Sequence, residues 1–413
     1  MPETYQSVRI DRDLRPGYYD KFRCLMSGCQ LNCCRDDWQI TFGKKDYLTV
    51  KKQRGSPELN RRLGKCLQRT RGEAMSEENN YGHFTRETGQ CPLLSGDCLC
   101  MLQQEKGAEV LPAVCRDFPR IKRYMPSGYL ERSLSPACEG VLALLWELPE
   151  GVDFTSDPLP EKERYWAFPK RDSDIAAIHF QEIRSLCIDL LQDRRFPLAE
   201  RIMMVGLALK PLAEGESDFS RWLAQVRALP GTAQAAGLLA GVERGKALPL
   251  FLTNAVTVLF SPKNRGNDTL PLRIAAALWL DMGSEGDTRR LLAGPYLTAQ
   301  ARFDKQFAGR EYFMENLAVA LFFHQGLPDM NGPEELWRSY LNFCNLYSIY
   351  RFATVMSCRE GAPGDRDELF RLLVNVSRAL LHSRERQVDL QDSLFQNDSA
   401  TLAHMAVLLS GGL

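Results

Sequence analysis

The chain has 413 residues, long enough for two or three domains and a sizeable core. Its 52 Lys and Arg residues balance 52 Asp and Glu residues, so the molecule as a whole is no polyanion binder. Hydrophobic residues at 44% and charged residues at 25% fit an ordinary soluble globular composition. The polar opening MPETYQSVRIDRDLRPGYYD has no signal-peptide character. Apolar runs such as LFLTNAVTVLF from Leu250 are too short to cross a bilayer. The expectation is a cytoplasmic protein, with peripheral contact at the inner membrane left open.

In chain order, DDWQITFGKKDYLTV predicts a short strand followed by a helix. IKRYMPSGYLERSLS predicts a hairpin turning at Pro126-Ser127-Gly128. Ser135-Pro136 then predicts the start of a helix, PACEGVLALLWEL, with proline in its first turn. Residues 149–172, rich in proline and charge, predict a connecting segment between a cysteine-rich region at 1–148 and a helical domain at 173–413. Tyr312 to Phe323 is apolar nearly all round, the pattern of a buried helix. Leu336, Tyr340, Phe343, Tyr347 and Tyr350 mark one apolar face of a helix opened by Pro333. Leu369, Leu372, Val376 and Leu380 repeat the spacing behind a capping pair, Asp365 and Glu368. The fold class expected is mainly α: an irregular cysteine-rich N-terminal region with a short β hairpin, followed by an all-α bundle.

The thirteen cysteines are unevenly placed. Ten lie at or before Cys138, and four of these fall within CLMSGCQLNCC, from Cys24 to Cys34. In a reducing compartment such a cluster reads as a metal or redox site rather than a disulfide framework. Cys187 and Cys344 sit in helical runs and read as core residues. Cys29 and Cys33 are four apart and can face the same way; a loop conformation can bring Cys34 to the same centre. Three convergent thiolates suit a soft metal or an iron–sulfur cluster, and a fourth ligand can be distant or absent. The second group, CPLLSGDCLC with the later CRDFPR and SPACEG, does not complete a tidy zinc knuckle pair, so iron–sulfur, zinc and unligated thiols all stay open on spacing alone. The C-x3-C-x2-C motif of radical S-adenosylmethionine enzymes is not met, because its third cysteine would fall at Asp36. No G-x-G-x-x-G loop points to a Rossmann domain.

The runs YYDKFRCLMSGCQLNCCRDDWQI, CPLLSGDCLCMLQQEKGAEVLPAVCRDFPR and GYLERSLSPACEG, with the later REYFMENLAVALFF, together resemble the bacterial flagellin lysine-N-methylases. The cysteine blocks are also similar to a broader zinc- or iron-chelating C-x3-C-C family. The resemblance implies a methyltransferase that uses S-adenosylmethionine to methylate ε-amino groups of flagellin lysines and carries a [4Fe-4S] cluster. The cysteines that match its motifs, and that it implies as metal-binding, are Cys24, Cys29, Cys33, Cys34, Cys91, Cys98, Cys115 and Cys138. Cys29, Cys33, Cys34 and Cys91 form the implied cofactor-binding set. The competing expectation is a non-enzymatic zinc-binding interaction protein.

Amine methylation constrains the rest. A lysine near pKa ~10.4 is almost fully protonated at neutral pH, so a base or a desolvating channel is required. Asp36, Asp37, Asp97 and Asp117 are candidate bases, each weighed against pairing with Arg35, Arg116 or Arg120. A cluster could anchor the donor, drive one-electron chemistry or hold the fold. His83 is the one histidine near the cysteines. Lys44 to Arg71 carries ten basic residues against Asp46 and Glu58, suiting an acidic partner or an anionic membrane surface, or simply a solvated face. Nucleic acid is not expected, since aromatics do not interleave with the basic residues. Self-association is left open, and the catalytic residue is not identified.

Overall fold

A computed structural model describes residues 8–35, 40–86, 89–125, 127–167, 178–232, 237–260, 288–329, 331–381 and 400–411. It is mainly helical, with small sheets confined to the N-terminal part and a helical C-terminal region. The first strands are β1 (Val8–Ile10) and β2 (Arg12–Pro16). Next come β3 (Thr41–Phe42), β4 (Leu67–Arg69) and β5 (Gly82–Phe84), which form an antiparallel sheet in the order β3-β5-β4. The predicted hairpin is present as β6 (Arg120–Tyr124) and β7 (Tyr129–Leu134), with Tyr124 opposite Leu130. Ser127 and Gly128 lie in its turn; Pro126 falls outside the described residues.

The rest of the N-terminal sheet was not legible in the sequence. β7 also pairs in parallel with β2, Asp13 facing Leu130, and β2 pairs with β8 (Phe154–Thr155). β1 pairs with β9 (Tyr165–Ala167). Thus the segment expected as a connection runs partly as edge strand. Each pairing joins strands of two to six residues that are far apart in sequence, and period-two alternation cannot announce a strand that short. The parallel β2–β7 pair also shows how the cysteines are housed. The chain leaves the sheet after Pro16, folds the cysteine module, and returns at Arg120.

That module has its own small core, in which Phe42, Val50, Leu59, Leu63, Phe84, Leu93, Leu102 and Leu111 are buried together with Cys66 and Cys91. The predicted strand and helix are β3 and Lys44–Lys51. A second helix, Pro57–Cys66, opens on Ser56, whose hydroxyl accepts from Leu59 N, with proline in the first turn.

The larger core joins the N-terminal part to the helices. Tyr18, Tyr19 and Phe22 pack with Val141, Leu142, Leu145 and Trp146 into one cluster with the C-terminal helices. The helix after the hairpin starts at Glu139 rather than Pro136 and runs to Trp146. Residues 135–138 form a turn, in which Cys138 N donates to Ser135 O, and Cys138 becomes the N-cap. Tyr312–His324 is a helix buried from Phe313 to Phe323, as its all-round apolarity predicts. Pro333–Met356 is also a helix, but it is buried on almost every side rather than along one face. Tyr340 packs tightly over Gly206 of Leu198–Ala213; a Cβ at Gly206 would lie within the Tyr340 ring's contact shell. In Arg366–Leu381 the predicted cap holds: Asp365 Oδ1 accepts from Glu368 N at 2.9 Å. Cys187, Cys344 and Cys358 are buried core residues.

A buried ion pair fastens the sheet to the helices. Glu131 on β7 accepts a short hydrogen bond from Arg184 Nη1, and Arg184 Nη2 donates to Phe323 O at 3.2 Å. The Arg184 guanidinium also lies over the Phe180 and Phe323 rings, 5.0 and 4.6 Å from their centroids.

Candidate functional site

Two cysteine loops meet between the module and the helical core. The first carries 3-10 turns at Met26–Gly28 and Cys33–Arg35. Asn32 fixes the second turn: its Oδ1 accepts from Cys34 N at 2.8 Å, and its Nδ2 donates to Cys98 O at 3.1 Å. Cys91 N donates to Cys34 O at 2.7 Å. The second loop, Cys91 to Cys100, closes on itself through Met101 N to Leu93 O at 2.8 Å and enters the Met101–Lys106 helix at Cys100. Backbone and side-chain hydrogen bonds therefore stitch Cys33-Cys34 against Cys91.

The thiols follow the backbones. The Cys34 thiol lies close enough to those of Cys33 and Cys91 to interact with both. This places Cys34 in the middle of a sulfur row, where interactions with Cys33 and then Cys91 push its pKa far up, and burial adds to that. The outer two shift the other way. Cys33 is drawn down, first by its Cys34 contact, with help from Arg378 and Arg86 against the cost of burial. Cys91 is drawn down by Cys34, and then by the Leu93 backbone and Arg86. Cys33 and Cys91 therefore lean toward the thiolate and Cys34 toward the thiol. Cys66, Cys100 and Cys115 surround this row closely enough to feel the Cys91 charge. Cys115 is exposed by surface area, yet crowding around its sulfur raises its pKa, so we place it at the solvent-facing rim of the thiol pocket.

The remaining candidates sit elsewhere. Cys29 does not face Cys33 and Cys34. Its sulfur contacts Glu139 Oε2 at 3.3 Å, and its pKa is pushed up to about 12 by burial and then by Glu139. The equal four-residue spacing fails because the chain from Cys29 to Cys33 is not one helical turn: Cys29 is extended, and Leu31 N donates to Glu139 Oε2. Cys138 neighbours Cys33 and Cys24, and its pKa is pushed up to about 12 by burial. Cys24 lies on the surface, accepting from Met26 N at 3.4 Å. Cys98 adopts a positive φ of 60° and meets Arg35 Nη2 at 2.7 Å, outside the sulfur row. His83 contacts Thr70 across β5 and β4 rather than the thiols. Asp117 pairs with Arg116, and Asp36 and Asp37 lie outside the described residues. Among the described residues, no three His, Cys, Asp or Glu side chains stand in an arrangement that holds a single metal ion.

Arg86 and Arg378 were not legible as site residues in the sequence. Arg378, from the Arg366–Leu381 helix, donates from Nη2 to Leu31 O at 2.6 Å and from Nε to Ala137 O at 3.2 Å. A buried guanidinium 347 residues beyond Leu31 thus braces the first cysteine loop and the turn before Cys138, and it faces Cys33. Gln30 Nε2 adds a contact to Asp367 on the same helix. What the site offers chemically is an all-sulfur donor set with an electropositive wall. In the metal-free chain, Cys91 and Cys33 are expected to react with iodoacetamide as thiolates. Their rates should level off above pH about 6 for Cys91 and about 7 for Cys33, while Cys34 stays slow. Peptide mapping across a pH series reads this, and three rates climbing together to pH 9 would contradict that ordering of the thiols.

A mainly helical chain that carries a cysteine module braced by its C-terminal helices is the class defined by this fold and site. The C-terminal domain model of the FliB lysine N-methylases matches residues 184–408, which include Arg184 and Arg378. The chain belongs to the FliB lysine N-methylase family. Among curated proteins it is 29% identical over 142 residues to a lysine-N-methylase of Salmonella typhimurium, covering 33% of each chain. It is 30% identical over 139 residues to the flagellar biosynthetic protein FliU of Salmonella muenchen, covering 33% of this chain and 78% of that one. A lysine-N-methylase of Salmonella choleraesuis is 29% identical over 142 residues. The alignment spans about a third of the length of those lysine-N-methylases. No solved structure matches the chain.

Proposed function

We propose that this protein transfers methyl groups from S-adenosylmethionine to ε-amino groups of lysines on flagellin, and that an iron–sulfur cluster is held in its thiol pocket. Family membership supports the reaction class, and the names of the relatives support the substrate. The observation that carries the reading is the sulfur row of Cys33, Cys34 and Cys91 backed by Arg86 and Arg378. An all-sulfur donor set suits soft metals and iron–sulfur clusters. Cys33, Cys34 and Cys91 would hold the cluster, with Cys115 at the rim as the fourth candidate. Bound there, a cluster supplies an iron that can anchor the methyl donor, one-electron chemistry, or closure of the fold.

The chain's own residues have a separate task. A lysine reaching the pocket must lose its proton to solvent water before its lone pair can attack the sulfonium methyl group. The new N–C bond then forms as the S–C bond breaks, and the thioether leaves with that electron pair. Guanidiniums nearby disfavour a second cation and so favour the neutral amine. Arg86 and Arg378 supply that field without accepting the proton themselves.

The test is incubation of oxygen-protected protein with folded flagellin and methyl-labelled S-adenosylmethionine, followed by mass spectrometry of lysines and by iron, sulfide and zinc analysis. Label on lysine with iron and sulfide in similar amounts supports the reading. Absence of label from protein with its metal content intact rejects the methyl-transfer assignment. Zinc without sulfide rejects the cluster assignment and leaves the interaction-protein alternative.

A further inference from the structure

The cysteine module carries a cationic face whose floor is aromatic. Tyr47, on the Lys44–Lys51 helix, meets Tyr81, just before β5, edge to face with ring centroids 5.4 Å apart. The fit is tight: a Cβ on Gly82 would collide with the Tyr47 ring. Three cations gather on this pair. Lys44 Nζ lies 5.8 Å and the Arg69 guanidinium 4.8 Å from the Tyr81 centroid, and Lys51 Nζ lies 5.7 Å from that of Tyr47. Lys44 also pairs with Glu77, but Lys51 and Arg69 have no carboxylate partner among the described residues. A charge run on a helix is usually only a solvated face. Here the cations are gathered from a helix end, a helix start and a strand onto one rigid floor, which spacing along a single helix would not produce.

The helix that follows the face is tied to the second cysteine loop. Arg62, on the next helix, donates to Pro92 O at 2.9 Å and Leu94 O at 3.0 Å, the residues that follow Cys91. We infer that the Tyr47–Tyr81 face, with Lys44, Lys51 and Arg69, docks carboxylate-rich segments of the protein substrate that flank its target lysine. The inference rests on the proposed lysine-methylation reading and deepens it. The Arg86 and Arg378 guanidiniums beside the sulfur row repel lysine-rich sequence in general. A cationic face on the same module draws in those lysines whose neighbours are Asp and Glu. Electrostatic complementarity of this kind sets selectivity and association more than turnover. An acidic protein segment is favoured over a membrane because the cations converge on one small aromatic pair, which suits a few clustered carboxylates better than a flat anionic surface.

The test uses the full-length protein and two fluorescent peptides with one central lysine, flanked by glutamates in one and by glutamines in the other. Fluorescence anisotropy is expected to show the glutamate peptide binding at least about tenfold tighter, with the preference fading as salt rises. Lys51→Glu with Arg69→Glu should remove the preference, and the milder Lys51→Gln with Arg69→Gln should reduce it, each with an unchanged circular dichroism spectrum. Flagellin methylation by these variants should show a raised KM and an unchanged kcat. Equal binding of the two peptides, or variants that bind like the parent, would overturn the inference. So would retention only on anionic phospholipid vesicles or duplex DNA. If the peptide preference holds while flagellin is never methylated, the docking face stands and the substrate assignment falls. If flagellin is methylated without any peptide preference, the reverse holds.

Discussion

On the proposed cluster and methyl-transfer reading, Cys34→Ser is expected to strip the metal from the protein and to lower lysine methylation on the order of a hundredfold or more, since removal of one thiolate opens the coordination shell. The position is chosen by geometry. Cys34 is the sulfur in contact with both Cys33 and Cys91, so its loss separates the other two. Serine keeps the size and the backbone contacts to Asn32 and Cys91, which isolates the effect of sulfur. Cys187→Ala, in the helical core, controls for general thiol loss and should retain both metal and activity. Iron and sulfide analysis beside the labelled-donor assay decides the matter. Full metal content and full activity in Cys34→Ser would remove the sulfur row from the mechanism.

Glu131→Ala is expected to destabilise the fold by about 3–5 kcal/mol, the cost of leaving a buried charge uncompensated. Both partners are 2% exposed or less, and Arg184 is surrounded by the Phe180 and Phe323 rings. Burial already disfavours the Arg184 charge, and Glu131 is what offsets this. Arg123 cannot substitute for the carboxylate, because its Nη1 is itself a cation approaching Glu131 at 3.8 Å. A paired replacement, Glu131→Leu with Arg184→Met, should recover most of the loss, since apolar residues of similar size avoid the desolvation cost altogether. Urea unfolding of the single and double variants reads the difference. A single variant as stable as the parent would mean that water or another group reaches Arg184.

The helices of the C-terminal half were legible because each encodes its own signals. Asp365 before Leu369, Pro333 before Leu336 and the unbroken apolar run from Phe313 act through neighbours within a turn or two. The same locality explains the misplaced start at Pro136. Proline tolerates a helix's first turn, but it also suits the turn that Ser135 closes, and only packing distinguishes the two. The short strands carried too few residues for any period to show. β2 depends on β7, more than a hundred residues later, for its place in the sheet.

The site divides along the same line. The sequence by itself determined that sulfur is concentrated before residue 138, that its loops are short, and that Cys187 and Cys344 belong to a core, because composition and local spacing are one-dimensional properties. Only the tertiary structure decided which sulfurs meet. Cys34 joins Cys91 across 57 positions, while Cys29, four residues from Cys33, turns away to Glu139. It also decided that Arg378 reaches the first cysteine loop and that Lys51 and Arg69 share an aromatic floor. Side-chain direction in an irregular loop is set by the hydrogen bonds that pin its backbone, and here those partners lie on distant segments of the chain.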